Sequence, residues 1–112
     1  MTDRTYVFEK VEKTVMDAVK TVLKAMPQDI DRGILYSVKG NVPLYVNMMR
    51  SICLYVSRNM YGLSYPTIAR HTGMRIRSVM KSIRKTRHLI FADDTYFAIF
   101  QTVRNRLETG RL

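Results

Sequence analysis

Apolar residues recur every three or four positions along most of this 112-residue chain, and strand-like alternation is nowhere sustained for more than a few residues. That period belongs to α-helices that each bury one stripe of side chains. The expected fold class is therefore all-α. The clearest helix covers 5–26, where Phe8, Val11, Val15, Val19, Val22 and Met26 form the stripe and Glu9, Lys10, Lys13, Asp17, Lys20 and Lys24 lie between them. Pro27 ends it, since the residue before a proline is pushed out of the helical region. Spacings of three and four suit a core-facing helix and a coiled-coil seam alike, so this stripe is expected either to pack on the rest of the chain or to form a homodimer.

Gly33, Gly40 and Pro43 mark 28–43 as a connector holding one short helix around Ile34 to Val38. A second long helix is predicted over 44–61, with Val46, Met49, Ile52, Cys53, Val56 and Met60 inward and Gly62 as its stop. The chain thus divides into an N-terminal helix and connector, 1–32, and a domain, 33–112.

Within that domain the punctuation changes. Ser64 is suited to cap a short helix with Pro66 in its first turn, where a missing amide hydrogen costs nothing. Gly73 then permits a left-handed turn. A further helix runs from Arg75 to about Ile90 with Ile76, Val79, Ile83 and Ile90 inward, and Asp93 and Asp94 open a last helix carrying Phe97, Phe100, Val103 and Leu107. Two short helices crossing at a glycine turn, the first holding Ile68 and the small Ala69, form a helix-turn-helix. Burying Val79 and Ile83 turns Arg75, Arg77, Ser78, Lys81, Ser82, Arg84 and Lys85 outward, an almost wholly hydrogen-bonding face.

The charge is local. The net of +10 is concentrated where no acid interrupts it: between Asp31 and Asp93 there is none, while Arg50, Arg58, Arg70, Arg75, Arg77, Lys81, Arg84, Lys85 and Arg87 follow one another. The segment 1–40 carries only +1, and 91–112 is neutral. Solubility is ordinarily served by mixed signs, whereas a single-sign field of this strength attracts a phosphate backbone by steering and counterion release. Arginines near the start of such a helix suit bidentate contact with guanine in the major groove. Four tyrosines, Tyr45, Tyr55, Tyr61 and Tyr65, interleave with the bases and keep stacking on unpaired bases as an alternative.

Other chemistry is sparse. His71 and His88 share no Cys, Asp or Glu at ligand spacing, so no metal site is expected, and both read as helix-end or surface residues. Cys53 stands alone on a buried face, which excludes an internal disulfide and argues for a small hydrophobe over a nucleophile. No catalytic constellation and no cofactor motif emerge, and the chain is not expected to be an enzyme. A charged start and the absence of any long apolar run give the expectation of a cytoplasmic, nucleoid-associated protein without membrane contact.

The twenty residues from Arg50 to Ala69, with Arg50, Arg58, Ser64, Pro66 and Ile68 in register, resemble the C-terminal DNA-binding domain (domain IV) of the bacterial replication initiator DnaA. There an Arg-led helix ending in a basic residue precedes a Ser-Leu-Pro-Glu-Ile-Gly stretch that opens the helix-turn-helix. The likeness extends more weakly over 33–107. It implies that Arg50 reaches a minor groove, Arg58 touches phosphate, and Pro66, with Thr67 beside it, lies at the DNA backbone. Arg75 matches the arginine of the family's base-reading Gly-Gly-Arg-Asp-His-Thr-Thr-Val motif, and Ser78 matches its second threonine after a gap. Ile76 and Arg77 replace the Asp-His pair, so the target sequence is expected to differ. No Gly-x-x-x-x-Gly-Lys-Ser/Thr phosphate loop is present, which rules out a complete ATP-driven initiator. The expected function is a bacterial or phage transcriptional regulator bound to specific double-stranded DNA. An origin-binding protein that competes with or recruits the initiator is the alternative, and either role brings a protein partner from the corresponding machinery.

Overall fold

A computed structural model describes residues 4–24, 35–36 and 44–109. Those residues form five α-helices and no strand: α1 (Arg4–Leu23), α2 (Leu44–Asn59), α3 (Tyr65–Thr72), α4 (Ile76–Ala92) and α5 (Asp94–Thr109). The chain is all-α, as its periodicity requires.

Four helices close on one another around a single core. α1 packs on both α2 and α5, and α4 also packs on both α2 and α5, while the short α3 lies against α4 and α2. From α1 the core receives Phe8, Val11, Val15, Ala18 and Val19, from α2 Ile52 and Leu54, from α4 Val79, Ile83 and Ile90, and from α5 Ile99 and Val103. Of the predicted stripe, Phe8, Val11, Val15 and Val19 are thus buried inside the chain, and Val22 is half-buried. Full burial of side chains of this size stabilises by about 1.5–3 kcal/mol each, so the interior, not helix propensity, holds α1 in place.

Several ends follow their local signals. Gly62 takes φ +64°, and its N–H donates to the Arg58 carbonyl at 3.1 Å, closing α2. Met60 and Tyr61 fall in that turn rather than in the helix. α1 stops at Leu23, earlier than predicted, where Lys24 adopts φ +59° and donates its N–H to the Lys20 carbonyl at 2.9 Å. Met26 and most of the short helix expected at 34–38 lie outside the described residues; Leu35 and Tyr36, which are described, are buried.

Ile76, expected inside, is outside, and so is Phe97 of the last helix. Ile76 is 45% exposed and Phe97 47%. Ile76 begins α4, one turn before the first buried residue, Val79, and the buried line of α5 runs through Tyr96, Ile99, Val103 and Leu107, which leaves Phe97 off that line. Phe100 is half-buried and meets the Tyr55 ring edge-on with centroids 5.5 Å apart.

Candidate nucleic-acid interface

The helix-turn-helix is assembled from short-range bonds. The Ser64 Oγ accepts the Thr67 N–H at 3.2 Å and lies 2.8 Å from the Thr67 Oγ1, so the cap and Pro66 in the first turn start α3. Ile68 and Ala69 are buried, and Gly73, at φ +76°, donates its N–H to the Ala69 carbonyl at 2.9 Å. Thr72 fastens the turn from both sides: its Oγ1 donates to the Ile68 carbonyl at 2.9 Å and accepts the Met74 N–H at 3.2 Å. The chain leaves this turn through Arg75, the N-cap of α4, whose side chain makes no capping bond.

α4 is held by Val79, Ile83, Thr86 and Ile90, all buried, with the Thr86 Oγ1 donating to the Ser82 carbonyl at 2.7 Å. Helical spacing from that line places Arg77, Lys81, Arg84 and His88 along the opposite, exposed side, with Lys85 and Arg87, also exposed, flanking it. No acid stands in the first turn of α4, so its dipole adds to the positive field.

The predicted site residues fall into three groups. Arg75, Arg77, Lys81, Arg84 and Lys85 are exposed at the start and along the face of α4, and Pro66 is exposed with Thr67 half-buried at the start of α3. Half-buried Ser78 and Ser82 line a groove of about 610 Å³ together with Lys81 and Lys85, facing Asn47 and Ser51 of α2. Burial raises the pKa of Tyr96, which lines the same groove as Ser51. Arg58, on the other flank, lines a cleft of about 150 Å³ with Arg84 and Arg87, and sits over the Tyr65 ring at 4.5 Å while its Nη1 donates to the Leu63 carbonyl at 3.2 Å.

Arg50 is the exception. Its Nε donates to the Leu35 carbonyl at 2.7 Å and its Nη1 to the Asn47 Oδ1 at 3.3 Å, and burial lowers its pKa while Tyr36 raises it. The guanidinium braces Leu35 onto α2, where the DnaA resemblance implied a reach into a minor groove.

Other residues of this surface lie outside the predicted contact set. Arg87 and His88 belong to the exposed α4 surface, and the signal was present, three and four residues after Arg84. Asn47, Ser51 and Asn59 carry no charge and join the clefts only through helix packing. His71 is more than a helix-end residue: its ring stacks on Phe8 with centroids 3.8 Å apart and planes 8° from parallel, and its Nε2 lies 3.7 Å from the Glu12 Oε2. That oxygen also accepts the Tyr36 hydroxyl at 2.7 Å. α1 is thereby tied to α3.

Cys53 is fully buried, and desolvation pushes its thiol pKa strongly upward, the opposite of what a nucleophile needs. Asp93 accepts the Thr95 and Tyr96 N–H groups at 2.8 and 3.1 Å, as a cap for α5. Among the described residues no three His, Cys, Asp or Glu side chains converge to hold a metal, and no helix is long and apolar enough to cross a membrane. No family model, curated protein or solved structure matches the chain.

Proposed function

We propose that this protein binds specific double-stranded DNA through α4 and acts as a transcriptional regulator. The observation that carries the reading is the exposed side of α4, which presents Arg77, Lys81, Arg84, Lys85, Arg87 and His88 without an acid among them. Arg77 and Arg84 are separated by about 10.5 Å along the helix axis, a length that suits the ~12 Å major groove. In this reading Arg75 and Arg77, at the leading end, read base edges, and Lys81, Ser82, Arg84 and Lys85 hold the two flanking backbones. Arg58, Pro66 and Thr67 meet phosphate from the start of the helix-turn-helix. Arg50 supports the frame and is left out of the contact set. Nothing in the site suggests bond-making chemistry, and the reading is of a binding protein rather than an enzyme.

Selection of bound duplexes from a random pool tests the proposal. A single consensus is expected, and changing Arg75 and Arg77 together to Ala should weaken binding to it by about 2–6 kcal/mol. A pool that never enriches, or a double variant that selects the same consensus with undiminished affinity, overturns it. A second reading, a replication-origin-binding protein, is supported by the DnaA-like run from Arg50 to Ala69; occupancy confined to an origin in cells would favour it over the first.

A further inference from the structure

The outer side of α4 carries one residue that a groove-bound helix does not explain. Phe91 is 82% exposed, more than any other large apolar side chain among the described residues. It lies seven residues beyond Arg84 and fourteen beyond Arg77, so the three stand nearly in line, each heptad drifting only about 20° around the helix. Successive members are about 10.5 Å apart. If Arg77 and Arg84 span the major groove, Phe91 stands nearly one groove width past it, beyond the backbone of the bound duplex.

Its surroundings specify what would cover it. Arg84, Arg87 and His88, all exposed, are the residues seven, four and three positions earlier, on the same side of the helix. Asp93 and Asp94 follow, with the Asp93 Oδ1 already accepting two N–H groups of α5. An apolar partner would cover the ring but strip water from three basic side chains without compensating them. Paired bases offer no face, because theirs are stacked on one another. A flat apolar surface carried on a polyanion satisfies both demands, and that description fits an unpaired nucleobase.

We propose that Phe91 is a stacking platform for an unpaired base, so that the protein binds most tightly where its duplex site adjoins a single-stranded stretch. The inference rests on α4 being the DNA-reading helix. Fluorescence polarisation of the full chain with three probes tests it: the selected site as a blunt duplex, the same duplex with a short single-stranded extension at either end, and the single strand alone. An extension at one end should tighten binding on the order of tenfold, the scale of one base–aromatic stack. Phe91→Ala should lose that gain and bind the blunt duplex like the parent chain, while Phe91→Trp should keep the gain and show quenched fluorescence with the extended probe. Equal affinity for blunt and extended duplexes, or a gain that survives Phe91→Ala, overturns the stacking role and leaves the reading of α4 intact. No affinity for any duplex overturns both. Quenching of Phe91→Trp by a Glu- and Leu-rich peptide, with none by the extended probe, would assign the ring to an acidic protein partner instead.

Discussion

Gly73 is the residue on which the geometry of the helix-turn-helix turns, and its replacement separates backbone cost from crowding. At φ +76° it occupies a region that side chains with a Cβ rarely adopt, yet a Cβ built there meets nothing within 4 Å. The penalty for Gly73→Ala is therefore conformational. A left-handed L-residue costs about 1–2 kcal/mol, and the loss of unfolded-chain freedom on replacing glycine returns about 0.4–1 kcal/mol. The balance is a destabilisation of roughly 1 kcal/mol, or about 4 °C in Tm for a domain of this size. Gly73→Asn should cost less, since asparagine tolerates the left-handed region, and Gly73→Val more, since a β-branched side chain does not. Thermal and urea unfolding of the three variants, followed by circular dichroism, reads the order directly. A neutral Gly73→Ala, or Asn costing as much as Val, would refute the reasoning that backbone strain alone is at stake.

Further outcomes follow from other sites. The Ser57 hydroxyl is buried with no hydrogen-bond partner among the described residues, so Ser57→Ala should stabilise by about 1 kcal/mol in urea denaturation. Cys53 titrates above its ordinary range when folded; its contribution to stability is intact below the unfolded pKa and lost as pH rises from about 8.5 towards the folded value, so the alkaline fall in Tm should be shallower in Cys53→Ala. The same thiol should react with a disulfide reagent only after denaturant is added. Arg84→Ala should weaken DNA binding evenly across sequences and lower the salt slope by about 1 if the guanidinium meets one phosphate.

What could be read before the structure was known were the features that act over four residues or fewer. The Ser64 cap, Pro66 in the first turn, the left-handed Gly73, the Asp93 cap and the buried line through Val79, Ile83 and Ile90 are all written in adjacent residue types. What escaped depends on which elements meet. Ile76 and Phe97 have the right chemistry for a core and the wrong place on their helices. The His71 stack needs Phe8, and the Arg50 brace needs Leu35, partners that local spacing does not bring together. The exposed basic face of α4 was legible because charge pattern and helical spacing agree there, whereas the bond of Arg50 to Leu35 depends on a carbonyl fifteen residues away in sequence.

The closed arrangement of α1, α2, α4 and α5 has a practical consequence for anyone wishing to reuse the helix-turn-helix. α1 and α5, the first and last helices described, pack on each other and supply two walls of the one interior that supports α4. Trimming the chain from either side towards the helix-turn-helix opens that interior to water. The segment from Ser64 to Ala92 is thus not a portable cassette, and the outward side chains of α4 are better exchanged on the intact frame than by grafting the two helices elsewhere.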